Sequence, residues 1–222
     1  MLSLVKELCL LNGVSSGEDE VRAFIREKAA PYAEAMRTDA LGNLIVFKKG
    51  AKATGNKLML TAHMDEVGFI VNDITEDGYL KFAPVGGIDP RVVIGKRVSV
   101  GLGRVQGAIG LKAYHLVSAE EEKNVPKFED MYIDIGARDR ADAEAAVSLG
   151  ALVAFESDAV EFGYGMFKAK AIDDRVGCAV MLKLLEEELP MDCTFVFSTQ
   201  EEVGTRGALG AAFSVTPEIA LV

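Results

Sequence analysis

The chain has 222 residues, more than a usual single domain, which leaves room for one large domain or for a core that carries an insertion. Half of its residues are hydrophobic, so it can bury a sizeable core, and this excludes a disordered or collagen-like chain. The net charge of −10 disfavours a nucleic-acid partner, because proteins that bind nucleic acid show a basic patch. No apolar run reaches the roughly 18 residues of a membrane-spanning helix, so no membrane partner is expected.

The N-terminal stretch 1–13 is apolar but interrupted by Lys6 and Glu7, and it predicts a short amphipathic helix rather than a signal peptide. The chain has three cysteines, Cys9, Cys178 and Cys193. Their odd number and the absence of a CxxC motif disfavour a disulfide framework. We therefore interpret them as buried free thiols, which suits a reducing, cytoplasmic setting.

The first part of the chain alternates between helix and strand patterns. Ser15 followed by Glu18 has the spacing of a capping box, in which each side chain bonds a free amide of the first turn, and it predicts the start of a helix. Two short apolar runs then predict strands over Asn43–Phe47 and Lys57–Ala62. This alternation is typical of an α/β core, whose first part we assign to residues 1–67.

A different pattern begins at residue 68 and continues to residue 162. Gly68–Asn72 and Tyr79–Ala83 are short β-like runs joined by a turn sequence, which predicts a hairpin. Closely spaced glycines with short valine-rich runs between them predict a small β-barrel or sandwich. A charged loop near residues 120–130 is expected in solvent.

Residues 163–222 return to the α/β pattern. Val176–Leu189 is apolar almost all round, which predicts a helix that is buried against a sheet. Cys193–Ser198 is a continuous apolar run and predicts a strand whose two faces are both covered. The chain is therefore predicted to be an α/β core that contains a glycine-rich β insert.

Three polar clusters follow apolar runs of this core. In the first, His63 and Asp65 lie at the end of the second predicted strand and point to the same side of an extended backbone. Asp65 can hold one nitrogen of the imidazole, which leaves the other nitrogen free for a metal ion. A polar loop at a strand end explains this cluster equally well.

The other two clusters are pairs of carboxylates. Asp173 and Asp174 precede the long helix, where one of them can cap the helix while the other reaches across the sheet edge. Glu201 and Glu202 follow the last apolar strand and point in different directions, so one can bind a cation while the other takes a proton from water. The alternatives are an ordinary helix cap and a solvated loop.

All three clusters share a position, the carboxyl end of a core strand or the loop that leads into a core helix. Ligands bind at this edge in open α/β sheets. Carboxylate oxygens together with one imidazole suit Zn²⁺, Co²⁺ or Mn²⁺. The sequence therefore predicts a divalent-metal site that is suited to hydrolysis.

The clusters and their order resemble the dinuclear metallo-aminopeptidases of the glutamyl-aminopeptidase and tetrahedral (TET) type, a family that also has members labelled endoglucanase. The matching stretches are TAHMDEVGF (Thr61–Phe69), GGIDPRVVIGKRV (Gly86–Val98), GAIGLKAYHL (Gly107–Leu116), KAIDDRVGCA (Lys170–Ala179) and STQEEVGTRGA (Ser198–Ala208). The resemblance implies a three-layer α/β catalytic core, incomplete at its C-terminus, with an inserted β-barrel-like dimerisation domain.

The resemblance also implies a role for each residue of the clusters. His63 would bind one divalent ion, Glu202 the other, and Asp173 would bridge the two. Glu201 would act as the general base, and Asp65 would orient His63. The ions would be zinc or cobalt, with manganese as a further choice, and the peptide bond that follows the bridging aspartate would be cis.

Two further ligands are implied as well, an aspartate and a histidine, at positions beyond Val222. Each ion then lacks one protein ligand, whereas catalytic zinc sites usually have three together with water. We therefore expect both ions to bind these 222 residues weakly or not at all, and we expect little peptidase activity.

The activity that the resemblance implies is the removal of N-terminal residues from short peptides by a metal-dependent aminopeptidase. Self-association is implied too, as a dimer and, in the full-length family, as a dodecamer. Two alternatives stay open, a non-catalytic assembly module and an endoglucanase. A glycosidase needs two carboxylates that flank the sugar, and the diverging Glu201 and Glu202 do not provide them.

Overall fold

A computed structural model describes residues 1–52, 57–118 and 123–222. The helices are α1 (Leu2–Leu10), α2 (Asp19–Ala29), α3 (Arg140–Ala146), α4 (Ile172–Glu186) and α5 (Arg206–Val215). The strands are β1 (Ala35–Thr38), β2 (Leu44–Lys48), β3 (Leu58–His63), β4 (Gly68–Ile74), β5 (Leu80–Val85), β6 (Arg97–Val100), β7 (Val105–Gly110), β8 (Tyr132–Asp134), β9 (Leu152–Phe155), β10 (Val160–Phe162), β11 (Met166–Lys168), β12 (Cys193–Ser198) and β13 (Ile219–Leu221). Among the residues described, no helix combines the length and the apolar character needed to cross a bilayer.

The chain forms two compact units. The first consists of Met1–Glu66 and Asp158–Val222, and the second consists of Val67–Ser157. The second unit ends earlier than the predicted insert 68–162, because the β10–β11 hairpin groups with the first unit. Phe167 of this hairpin packs against the core of the first unit.

The first unit is built on a sheet whose described strands have the order β1-β2-β12-β3-β13. Both β12 and β13 run parallel to β3, whereas β2 runs antiparallel to β1 and β12. One face packs on α1, α2 and α4 through residues such as Leu8, Ile25 and Leu182. The other face packs on α5 through Ala211. These three layers confirm the predicted fold class, and the predicted burial of Cys193–Ser198 on both faces is confirmed with them.

The second unit is a closed barrel in which the described strands have the order β4-β5-β8-β7-β6-β9. The predicted hairpin is β4 paired antiparallel with β5. The interior is apolar, and Phe69 makes edge-to-face contacts there with Phe82 and Phe155, at centroid distances of 4.8 and 5.2 Å. The predicted barrel is confirmed. Part of the predicted charged loop, at 119–122, lies outside the described residues.

One local prediction differs from the structure, and one is confirmed with an addition. The predicted capping box does not form. Glu18 is the residue directly before α2, and its side chain makes no hydrogen bond to the first amides of that helix. The Ser15 hydroxyl donates to Asp65 instead. The helix α4 is buried against the sheet, as predicted, through residues such as Leu182. Three of its apolar residues, Val176, Val180 and Leu184, are nevertheless 41%, 43% and 37% exposed. Their spacing of four residues places them on one face, which the described residues do not cover. The cysteines are buried and free, as predicted.

Candidate active site

The carboxyl ends of β3 and β12 meet at one edge of the sheet in the first unit. The two strands are parallel neighbours, and Ser198 at the end of β12 is in register with His63 at the end of β3. The helix α4 begins at the same edge, where the Cys178 thiol donates to the main-chain oxygen of His63 at 3.3 Å. Just before α4, Ala171 has a φ of 50°, and the peptide bond between Asp173 and Asp174 is cis, as the resemblance implies.

His63 lies at the centre of the polar cluster, and its side chain is 11% exposed. Its Nδ1 lies 3.0 Å from the main-chain oxygen of Asp65 and 3.5 Å from the Oδ1 atom of the same residue. A carbonyl oxygen can only accept, so Nδ1 carries a hydrogen and donates it. The other nitrogen, Nε2, faces carboxylates, at 3.1 Å from Asp173 Oδ1 and 3.9 Å from Glu201 Oε2.

Asp65 is fully buried and joins three segments of the chain. Its Oδ2 accepts from the Ser15 hydroxyl at 2.6 Å and from the Glu202 amide at 3.1 Å. Its Oδ1 accepts from the Glu201 amide at 3.0 Å. Burial raises the pKa of Asp65, but the hydrogen bonds from His63, Ser15 and the two amides outweigh it, and the net shift is downward. Asp65 therefore stays ionised and fixes both the histidine and the loop after β12.

The electrostatic balance of the cluster favours a protonated imidazole when no metal is bound. Burial lowers the pKa of His63, but the hydrogen bond and charge of Asp65, together with Asp173 and Asp174, raise it to about 9. Burial also raises the pKa of the Asp174 and Glu202 carboxyls above their ordinary values. The excess of carboxylates around one imidazole is the charge pattern that attracts a cation.

One pair of donor atoms has a spacing that suits a shared divalent ion. Two atoms bound to one tetrahedral zinc ion lie about 3.4 Å apart, given metal–ligand distances of about 2.1 Å. The 3.1 Å between His63 Nε2 and Asp173 Oδ1 is close to that value. Within residues 1–52, 57–118 and 123–222, no group of three or more histidine, cysteine or acidic side chains is close enough together to hold an ion. The pair formed by His63 and Asp173 is therefore the part of the predicted site that the fold brings within reach of one ion.

A network of buried charges beside the site is absent from the sequence-based prediction. Glu66 Oε1 accepts from Lys170 Nζ at 2.9 Å and from the Gly13 amide at 3.0 Å. Arg175 is fully buried, donates from Nε to the main-chain oxygen of Met64 at 2.7 Å, and has an Nη2 atom 3.8 Å from Glu66. These bonds attach the start of α4 to the residues that follow β3. The only signal for these bonds in the sequence is that Glu66 directly follows Asp65 and Arg175 directly follows Asp174.

The structure places the sequence-predicted residues in three positions. Asp173 and Glu201 each have a carboxylate oxygen within 4 Å of His63 Nε2. Asp65 lies behind the histidine and is buried. Glu202 joins the cluster through its amide, which bonds Asp65. The residues predicted from the strand ends therefore do lie together in the structure. The role of each one, as metal ligand, general base or orienting residue, stays a prediction.

Comparison with known proteins extends this result. Residues 42–222 match the family model of the M42 glutamyl aminopeptidases. A protein of Acetivibrio thermocellus is 43% identical over 223 residues, which cover 100% of this chain and 64% of that protein. The structure of a TET aminopeptidase from a marine-sediment Thaumarchaeota archaeon superposes with a TM-score of 0.93 at 35% identity, over 100% of this chain and 65% of that one.

A second solved structure is similar over nearly the same length. It is the TET1 peptidase of Pyrococcus horikoshii, described as able to assemble into a tetrahedron or a large octahedral shell. Its TM-score is 0.88 at 32% identity, over 99% of this chain and 67% of that one. The present chain spans 64% of the length of the Acetivibrio relative.

Proposed function

Because the chain belongs to the M42 glutamyl aminopeptidase family, we propose that the protein containing it is a metal-dependent aminopeptidase that removes N-terminal residues from short peptides. The observation that carries this proposal is the approach of Asp173 and Glu201 to the same nitrogen of His63. The activity is proposed for the whole protein, since these residues span 64% of the length of a matched relative.

We further propose that His63, Asp173 and Glu202 hold two divalent ions, zinc or cobalt in preference to manganese. Oxygen ligands with one imidazole suit these metals. Such ions would polarise the peptide carbonyl and make water easier to deprotonate. His63 can serve as a ligand only when Nε2 has lost its proton, and the Nδ1 donation to Asp65 leaves Nε2 as the nitrogen that faces Asp173.

Glu201 is assigned the proton transfers. Its Oε2 lies 3.9 Å from His63 Nε2, and its side chain is 36% exposed, so it reaches both the cluster and solvent. A carboxylate in this place can take a proton from water and deliver it to the departing amine. Asp65 lies against His63 Nδ1 and accepts a hydrogen bond from the Glu201 amide. It therefore fixes the position of Glu201, the proposed base, relative to His63, the proposed metal ligand.

Self-association and a cytoplasmic setting complete the proposal. The Pyrococcus horikoshii peptidase assembles into closed shells, and this supports self-association of the protein that contains the barrel unit. Three buried free thiols support a reducing compartment.

Metal binding by the protein at its natural length tests the ligand assignment, because these 222 residues alone are expected to bind metal weakly. Calorimetric titration with Co²⁺ in two buffers of different ionisation enthalpy should show release of a proton, because His63 holds one at neutral pH. His63→Ala should abolish the binding. The matched control is His115→Ala, an exposed histidine of the barrel unit, which should bind Co²⁺ as the parent chain does. Equal binding by both variants contradicts the assignment.

Hydrolysis of aminoacyl-p-nitroanilides by the protein at its natural length tests the activity. Glu201→Gln should lower kcat by about 10²–10⁴-fold while the metal content is retained, because it removes a general base and keeps the shape of the side chain. Glu186→Gln, on the exposed side of α4, is the control. Turnover of β-glucan in place of the anilides would overturn the peptidase assignment.

A further inference from the structure

The segment Gly13–Glu18, between α1 and α2, contacts both polar loops of the site. The Gly13 and Ser15 amides donate to Glu66, at its Oε1 (3.0 Å) and its main-chain oxygen (3.2 Å) respectively. Ser15 and Glu18, whose spacing suggests a capping box, direct their side chains away from the amides of α2. Both side chains are buried, at 2% and 3% exposure. Each side chain has a partner far away in the sequence, Asp65 for Ser15 and Gln200 for Glu18.

Glu18 holds the residue that precedes Glu201. Its Oε1 accepts from the Ser16 amide at 2.8 Å and from the Gln200 amide at 3.1 Å. Gln200 has a φ of 55°, a left-handed conformation that costs free energy in a residue with a side chain. Such a conformation persists where surrounding bonds impose it, and the bond to Glu18 is one of them.

Ser15 supports the loop at Glu201 and Glu202, and it does so indirectly, through Asp65. Its hydroxyl donates to Asp65 Oδ2 at 2.6 Å, and the two oxygens of this carboxylate accept the Glu201 and Glu202 amides. Three consecutive amides after β12 are therefore bonded to carboxylates that the segment 13–18 supplies or supports. Bonds at three successive amides fix the backbone of this loop, and they therefore fix the direction in which the Cα–Cβ bond of Glu201 leaves it.

We propose that Ser15 and Glu18 are positioning residues, which hold the Gln200–Glu202 loop so that the Glu201 carboxylate points at His63. This inference rests on the proposed function, because it assigns Glu201 the proton transfer. Their side chains bond Asp65 and main-chain amides, and neither residue is assigned to the metal or to the proton transfer. Displacement of a reacting group by about 1 Å can lower a rate by about 100-fold, so a loop held loosely should cost turnover more than binding.

Amide hydrogen exchange in the 222-residue chain tests the holding role without metal or substrate. Glu18→Met keeps the length of the side chain and removes the acceptor, whereas Glu18→Gln keeps a carbonyl oxygen at Oε1. In the Met variant we expect the Gln200 amide to exchange at least about tenfold faster, while amides of β2 such as Val46 are unchanged. In the Gln variant the rise should stay within about threefold.

Two results would overturn the inference. One is a Gln200 amide that exchanges at the parental rate in Glu18→Met. The other is an equal increase at Gln200 and Val46, which would show general destabilisation. Ser15→Ala, compared with Ser15→Thr, should act in the same way on the Glu201 and Glu202 amides, since only threonine keeps the hydroxyl that bonds Asp65.

Turnover by the metal-loaded protein at its natural length tests the consequence. Glu18→Met should lower kcat about tenfold or more with KM within about twofold, and Glu18→Gln should recover most of the loss. Parental kcat in Glu18→Met would overturn the inference. If the parent protein hydrolyses no peptide, the proposed function fails, while the exchange rates still decide whether Ser15 and Glu18 hold the loop.

Discussion

The two units of the molecule bury different kinds of residue. The barrel unit has an interior of aliphatic and aromatic side chains, and Ser99 is its one buried polar residue among those described. The α/β unit buries Ser15, Glu18, Asn43, Thr61, Asp65, Glu66, Arg175, Ser198 and Thr199. Most of these belong to the loops at the carboxyl edge of the sheet. The polar burial therefore follows the candidate site and is not a general property of the chain.

This difference shows what each unit is built to do. Apolar burial stabilises a fold in proportion to the area removed from water and is nearly indifferent to pH. Buried carboxylates and guanidinium groups add little net stability, because desolvation offsets their attraction, but they fix geometry. The stability of the barrel unit should therefore respond to changes of side-chain volume. The stability of the α/β unit should respond to changes of side-chain charge.

The largest expected effect is a change of volume in the barrel. Phe69→Ala removes a fully buried ring that contacts Phe82, Phe155 and Phe128. We expect the free energy of unfolding to fall by about 3–5 kcal/mol, because the lost transfer energy is joined by the cost of a cavity. Urea unfolding followed through the amide signals of β4 and β5 measures it. Leu102→Ala, at a fully exposed position of the same unit, should change it by less than about 0.5 kcal/mol.

The next effect is a pH dependence confined to the α/β unit of the metal-free chain. Burial lowers the pKa of His63, but Asp65, Asp173 and Asp174 raise it to about 9 in the folded state, against about 6.5 when unfolded. Its protonation therefore stabilises the fold fully below pH 6.5, and this stability is lost as the pH rises through about 9. The loss should approach about 3 kcal/mol between pH 6 and pH 10.

Urea unfolding at those two pH values measures this loss. In His63→Gln the loss should be smaller by about 3 kcal/mol, since glutamine does not titrate. The loss that remains comes from the buried thiols of Cys9, Cys178 and Cys193, whose pKa burial raises, so that they ionise more easily in the unfolded chain. A parent chain and a glutamine variant that lose equal stability would show that the imidazole is not held as described. The Phe69→Ala effect, in contrast, should be the same at both pH values.

The smallest expected effect comes from alanine substitutions in α5, which test whether the stability of the α/β unit also depends on close packing. A Cβ on Gly207 would lie 2.2 Å from the Thr199 carbonyl oxygen and 2.4 Å from Asn43 Oδ1, whereas a Cβ on Gly210 would meet only the end of the Leu41 side chain at 2.8 Å. Gly207→Ala should therefore destabilise the fold by about 1–3 kcal/mol. Gly210→Ala, on the same helix, should lie within about 1 kcal/mol of the parent.

A measurement of thermal unfolding for the two alanine variants separates them. The pair shares a helix and a substitution, so helix propensity cancels between them. Equal melting temperatures would indicate that α5 can move away from β12, and that packing at this edge is looser than in the barrel.

Much of the fold could be predicted because its signals are local. The apolar run Cys193–Ser198 indicates a strand covered on both sides, and the glycine-rich pattern indicates a barrel. The helix α5 is not predicted, since Gly207 and Gly210 weaken the helical pattern. The exposed face of α4 is not predicted either, because hydrophobicity shows that a residue can be buried and does not show what covers it.

The candidate site could be predicted at the level of strand ends. His63 and Asp65 are close in the sequence, so their cooperation is visible in a local pattern. Ser15 and Glu18 were assigned to a helix cap because the cap is the local explanation of their spacing. Their actual partners, Asp65 and Gln200, lie 50 and 182 residues away, and no pattern in one sequence reports a contact at that distance.

The bond between the Glu201 amide and Asp65 joins residues 136 positions apart. During synthesis, a nascent chain that has emerged only as far as β11 therefore has His63 and Asp65 but lacks the acid that would complete them. Contacts of such long range form late in folding, after the loop between them has closed. A polar cluster assembled in this order carries a built-in delay, and it is completed around His63 only after most of these 222 residues have left the ribosome.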